Sequence, residues 1–324
     1  MGAIFIVVVV VAVALTVRQP PSPAGPSPSP TLAAPGPTGI FPQPPKVAFT
    51  FATPPAIPAS LPMYTFQPAA LSSVEQTEGK AAPGLNLGAT PSTLIRGDSY
   101  TKTWSRPNEA ALTVTQTNGA LSITFRQVKS TKPPNPITPE VAVQQFLAAV
   151  VPPTQNLTIK AAGTTSGPFD GLLVLDTPPP ASFKNYFYSY IVESYPLLTA
   201  DLSITPVSVI ADGGGIIRSA NVVPPPASFQ AGTATPLLTL DEILASLTAG
   251  RGTLLDTHNP QTPDQGAVPD FSSFVIDRAT VVYAPQNNLL LPALYMTGTG
   301  KTAGGAVQNA TLFLWLIPAG NGQP

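Results

Sequence analysis

FKNYFYSYIVESYPLLTADLSITPVSVIADGGGIIRSANVV, residues 183–223, is the stretch whose reading decides the fold. Ser182–Val192, Ile204–Asp212 and Ile216–Val223 are three strand-like runs. In the first, Tyr186, Tyr188, Tyr190 and Val192 share one face, and Asn185, Phe187, Ser189 and Ile191 share the other. A period of two built from aromatic and β-branched residues is the signature of a strand. A loop at Glu193–Ser203 and a glycine turn at Gly213–Gly215 join the runs, so an antiparallel meander is expected.

Strand pairs flank it. Ala111–Thr117 and Ala120–Phe125 meet at Asn118-Gly119, the pair that a type I′ hairpin turn requires because both positions need positive φ. Leu61–Phe66, Ser92–Ile95, Tyr100–Ser105, Asn156–Ala162 and Leu172–Asp176 also read as strands. So do Phe274–Tyr283, Leu289–Thr297 and Ala306–Ile317 near the C-terminus. The last of these is apolar on both faces, which predicts a central strand covered on both sides.

Helices are expected at Ala69–Ala82, Thr138–Val151 and Leu238–Ala249. In the second, Thr138 suits the N-cap, Pro139 the first helical position and Glu140 the positive end of the dipole. In the third, Thr239 and Glu242 have capping-box spacing and Gly250 stops the helix. Each of the last two helices precedes a set of strands. The expected fold class is therefore α+β: two tandem modules of antiparallel sheet, each with a packed helix. The segment PPPASF at 178–183 recurs at 224–229 and reads as low-complexity connector.

The N-terminus has a different character. Gly2–Val17 is sixteen uncharged, mostly aliphatic residues, about 24 Å of helix against a hydrocarbon core of roughly 30 Å. It reads as a membrane anchor, or as a signal peptide with Ala12-Val13-Ala14 as the cleavage motif. Arg18–Pro45 holds eleven prolines, and no charge lies between Arg18 and Lys46. About 27 such residues reach roughly 80 Å in extended polyproline II, as a stalk would. The expected organisation is anchor or signal peptide (1–17), disordered proline-rich stalk (18–46), β-rich region (47–137), first module (138–232) and second module (233–324).

Composition narrows the function. Charged residues are 10% of the 324, against about 25% in an ordinary soluble domain, and the net charge is −1. No basic cluster is present to neutralise phosphates, so nucleic acid is not an expected partner. The absence of cysteine excludes disulfides, thiolate metal sites and cysteine nucleophiles. The single histidine, His258, leaves little for metal binding or Ser-His chemistry.

Individual motifs read as structure. Thr299-Gly300-Lys301-Thr302 lacks the glycine of a phosphate loop, because Tyr295 stands in its place, and reads as a hairpin turn. Arg96-Gly97-Asp98, the tripeptide of integrin-binding proteins, reads as a turn between strands. Asp212 with Gly213–Gly215 offers one carboxylate where calcium takes six to eight oxygens, so it too reads as a turn. His258 lies near Asp256, Asp264 and Asp270 in a proline-broken tract, Thr253–Asp270, that reads as a solvated loop. Asn156 and Asn309 stand in glycosylation-acceptor triplets. The sequence assigns no catalytic, cofactor-binding or metal-ligating residue, and no cofactor.

Tyr186–Val222 resembles the extracytoplasmic modules of the YycH/YycI type of regulatory protein, with a PepSY-like character. The resemblance rests on the tyrosine-rich strand, the corner Tyr195-Pro196-Leu197, and the turn Asp212-Gly213-Gly214-Gly215-Ile216. The helix LTLDEILASLTAG, followed by TVVYAP and LLLPALYM, is similar to the second module of that type. Together these cover about residues 138–318. The resemblance implies a non-catalytic outer domain that regulates a membrane partner by protein contact, and it supplies no catalytic residues.

Three functions follow as expectations. The first is a membrane-tethered extracytoplasmic binding or regulatory domain, not an enzyme, whose partners are the membrane and a membrane protein or cell-envelope component. The second is an envelope glycan hydrolase, which needs two carboxylates about 5 to 9.5 Å apart in a cleft. The third is a surface adhesin acting through Arg96–Asp98 or an exposed apolar patch.

Overall fold

The computed structural model describes residues 47–129, 137–169, 172, 174–176, 180, 182–258 and 271–318. The expected anchor (1–17) and stalk (18–46) lie outside them, as do Asp264 and Asp270. No helix among the described residues is long and apolar enough to cross a membrane.

The chain runs β1 (Ala48–Phe51), β2 (Ser60–Gln67), α1 (Leu71–Gly84), β3 (Ser92–Arg96), β4 (Ser99–Arg106), β5 (Ala110–Thr117) and β6 (Ala120–Gln127). It continues with α2 (Pro139–Val150), β7 (Leu157–Ser166), β8 (Phe183–Val192), β9 (Tyr195–Leu197), β10 (Val207–Asp212), β11 (Ile217–Val222) and β12 (Ser228–Pro236). It ends with α3 (Leu240–Thr248), β13 (Thr253–His258), β14 (Phe271–Gln286), β15 (Leu289–Thr302) and β16 (Val307–Trp315).

The α+β, two-module expectation is overturned. Strands take 52% of the described residues and helices 14%, and the sixteen strands among them form one mixed sheet. Its longest path is β12-β2-β15-β14-β9-β8-β10-β11-β6-β5-β4-β3. The expected segments are fused by pairings distant in sequence. β11 adds to β6 through Ala220↔Phe125, and β14 adds to β9 through Tyr283↔Leu197. Helix-first recurrence is visible in the chain, but non-local pairing, which periodicity does not report, merges the strands.

The long hairpin β14–β15 is the spine. At one end its outer edges take β9 and β2; at the other they take β1 and β16. The sheet forks there, and a register shift between Ile276 and Arg278 marks the bend. A bulge of this kind bends its strand and increases the local twist. Among the described strands, only the β1 and β9 pairings with β14 are parallel.

Local rules hold where the residues make them. The tyrosine face of β8 is buried, and the strand pairs with β10 as the meander requires. Asn118 and Gly119 both have positive φ. The Thr138 side chain accepts from Val141 N, and α3 carries a complete Thr239–Glu242 capping box. β16 is central, paired with β13 and β15, and its C-terminal half is buried at Ala310 and Leu312–Leu314, while Val307 and Asn309 are exposed.

Other expectations fail. Thr253–His258 is a strand, held by register against β16 (Asp256↔Thr311), where a loop was expected. The described residues of Leu172–Asp176 form no strand. β9 interrupts the expected loop at Glu193–Ser203. Thr299–Thr302 belongs to β15 and not to a turn.

The core has three parts. α1 and α2 bury Val74, Ala82, Val143, Phe146 and Val150 against Trp104, Leu112, Phe125 and the tyrosine face of β8. The Phe125 and Phe146 rings lie 5.3 Å apart. α3 and β1 cover one face of the C-terminal strands, burying Ile243, Phe274, Met296 and Leu312. Leu198, Val282, Ala293 and Phe313 fill a smaller cluster. Each such valine, leucine, isoleucine, methionine or phenylalanine, fully buried, contributes about 1.5–3 kcal/mol of transfer free energy.

Candidate functional site

One end of the sheet gathers five connections around an apolar cavity of about 340 Å³. They are the β5–β6 turn, the β14–β15 turn, the segment after β9, the start of the β11–β12 connection and the β2–α1 connection. The walls are Leu121, Tyr190, Leu197 and Leu290 from the core, with Phe66 and Leu198. Prolines form much of the rim: Pro68, Pro224, Pro225, Pro226 and Pro285. Proline has fixed φ and no N–H, so this rim is stiff and poor in donors. Pockets for small molecules commonly span about 300–1,000 Å³ and combine apolar walls with few polar groups.

Hydrogen bonds made by its lining residues and their neighbours fix the shape of the cavity. The Tyr190 hydroxyl donates to the Val223 carbonyl at 2.8 Å, and burial pushes this phenol well above its ordinary value. The Thr154 hydroxyl donates to the Pro226 carbonyl at 2.8 Å. Phe66 N donates to Asn288 O and Ala227 N to Gln67 O, each at 2.9 Å. These bonds tie the triple proline and the β14–β15 turn to the sheet, so the cavity is preformed.

A second, polar depression of about 350 Å³ crosses β13, β14, β15 and β16. It is lined by Asp256, Asp277, Thr297, Asn309 and Thr311. Each aspartate stands beside a register shift, one after Leu254 and the other between Ile276 and Arg278. The Thr299 hydroxyl lies 3.2 Å from Asp277 Oδ2 and 3.4 Å from Asn309 Oδ1. Tyr295 borders this face; burial raises its phenol, a hydrogen bond with Thr311 lowers it, and the charge of Asp256 raises it. Among the described residues no group of three or more His, Cys, Asp or Glu could hold a metal ion.

The residues singled out in the sequence are scattered. His258 ends β13, its backbone in register with Asn309. Asp256 joins Asp277, a residue the sequence reading did not connect with it. Asp212 is occupied inside the protein: its Oδ1 accepts from Gly214 N and Ile216 N, and its Oδ2 from Arg218. Gly97-Asp98 is the two-residue turn of the β3–β4 hairpin, closed by Arg96↔Ser99 and exposed to solvent. The Thr299-Gly300-Lys301-Thr302 tract is regular strand.

Sequence reasoning missed the apolar cavity. Its one available signal was Pro224–Pro226 directly after the strand ending at Val222, where a rigid segment leaves a sheet end. Comparison with protein-family models finds no match, and comparison with curated proteins finds none either.

Proposed function

We propose that this chain is a non-catalytic binding domain that receives an apolar group of a protein or envelope component in the proline-rimmed cavity. The single observation that carries this reading is the cavity itself: preformed, apolar and set where five connections meet. Apolar walls reward burial of an aliphatic or aromatic group at about 25 cal/mol per Å² removed from water. The uncharged segment Gly2–Val17 and the eleven prolines before Lys46 support display on a tether outside the cytoplasmic membrane. The resemblance to YycH/YycI-type regulators supports a membrane protein as the partner class.

Native mass spectrometry of protein taken from its membrane fraction tests the binding. Wild type should carry an apolar adduct that Ala120→Trp, at the exposed rim, loses. An adduct equally present in both would contradict the assignment. Protease treatment of intact cells tests the location: a C-terminal tag should be digested from outside, and a protected tag would contradict the tether.

A second reading, glycan hydrolysis, draws on the polar depression, where Asp256 and Asp277 line one cleft. It requires turnover of an envelope glycan that Asp256→Asn and Asp277→Asn each abolish. Binding without turnover favours the first reading.

A further inference from the structure

Among the described residues one end of the sheet's strand path is β3, which pairs with β4 on one side and meets no strand on the other. All five residues, Ser92–Arg96, are exposed; Leu94 is 51% and Ile95 69% accessible. Natural edge strands are commonly guarded by lysine, proline, a bulge or an overlying element. Residues 92–96 hold no proline and no lysine, and their pairing with β4 is regular from Ser92↔Thr103 to Arg96↔Ser99. The two apolar side chains are adjacent and therefore point to opposite faces.

The direction of the free backbone groups follows from the hairpin. In a two-residue turn the closing pair, here Arg96↔Ser99, is hydrogen-bonded, and hydrogen-bonded and non-bonded pairs alternate along the ladder. Ser92, Leu94 and Arg96 thus use their N–H and C=O toward β4. Thr93 and Ile95 turn theirs outward.

We infer that β3 pairs antiparallel with β3 of a second copy of this chain, continuing the sheet across a two-fold axis at Leu94. The register is set by the outward groups: Thr93 exchanges both hydrogen bonds with the partner's Ile95, and Ile95 with the partner's Thr93. Leu94 then faces the partner's Leu94 as a non-hydrogen-bonded pair, with Cα atoms about 4.5 Å apart. Charges fit the same register. Arg96 falls opposite the partner's Ser92, so the two arginines lie at opposite ends and do not meet. A net charge of −1 on the whole chain leaves little repulsion between copies. This pairing is independent of the cavity and of any ligand in it.

The chain has no cysteine, so Leu94→Cys introduces the only thiol. In this register the two sulfurs meet within disulfide reach, since Cα separations of about 4.4–6.8 Å are bridged without distortion. Mild oxidation of the full-length Leu94→Cys protein should give at least ten times more disulfide dimer than Lys160→Cys, a control on the exposed strand β7. Adding Ile95→Pro, or separately Thr93→Pro, removes one outward N–H and leaves the β3–β4 ladder intact. Either should lower the dimer yield at least tenfold with an unchanged circular dichroism spectrum. Cross-linking no better than the Lys160→Cys control would overturn the pairing. So would cross-linking that survives both prolines in folded protein.

Discussion

Arg218 turns back onto Asp212, its Nε donating to Oδ2 at 2.8 Å, with both side chains almost wholly buried. The guanidinium also reaches Asp176, and the other oxygen of Asp212 holds two backbone N–H groups of the glycine turn. The carboxylate is thereby spent on fixing the β10–β11 turn in the middle of the sheet. Removing Asp212 leaves Arg218 with Asp176 as its remaining carboxylate but deprives the guanidinium and two turn N–H groups of their acceptors, at about 2–4 kcal/mol. Asp212→Ala should lower the unfolding free energy by that amount in urea titration. A loss under about 1 kcal/mol would mean that the turn does not depend on it.

Glu78 is fully buried on α1, and neither carboxylate oxygen has a hydrogen-bond partner. Burial pushes its carboxyl up from 4.5 to about 8. The sign is fixed by proton binding: between these values the folded chain holds a proton that the unfolded chain has lost. Stability therefore falls as pH rises from about 4.5 to about 8 and stays lowered above it. At 1.36 kcal/mol per unit, the loss is about 3–5 kcal/mol. Glu78→Met should flatten this slope, raising stability by about that amount at pH 9 and by much less at pH 4. Parallel pH profiles for the two proteins would contradict it.

Gly298 and Gly300 lie under aromatic rings on β15. A Cβ at 298 would strike the Val275 carbonyl and the Phe274 ring; one at 300 would strike the Phe271 ring. The two rings pack edge-on, 5.5 Å apart, across the positions the glycines leave vacant. Gly298→Ala should cost about 2–3 kcal/mol or more, because a backbone carbonyl cannot move aside as a side chain can. Gly304→Ala, in the turn and free of close neighbours apart from Thr302 Oγ1 at 3.9 Å, should change stability by less than about 0.5 kcal/mol. Thermal unfolding of the two variants checks the contrast.

These glycines also show where sequence reasoning stops. Asn118-Gly119, Thr138-Pro139, the Thr239–Glu242 box and the alternation in β8 were legible because each acts within a few residues. Thr299–Thr302 was read as a turn, since Gly300 is explained only by Phe271, some thirty positions earlier. β13 was read as loop because its register comes from β16, and Leu172–Asp176 was read as strand, whereas its described residues are tied down by Leu175 N donating to Val128 O and by the Asp176–Arg218 pair and join no strand ladder. The two-module expectation failed for the same reason, at the Ala220↔Phe125 and Tyr283↔Leu197 pairings. At the sites, Asp256 was noticed, but its neighbour Asp277 needed the sheet to bring it near. The cavity needed five connections spread from Phe66 to Leu290, while Pro224–Pro226 read as connector.

The most direct test of the binding account is a titration of purified full-length protein with a fluorescent aliphatic probe, in wild type and Ala120→Trp. Wild type should bind one equivalent saturably. Ala120→Trp, with its indole over the mouth of the cavity, should bind at least tenfold more weakly with an unchanged melting temperature. Absence of saturable binding, or equal affinity in the two proteins, would contradict a cavity built to receive an apolar group.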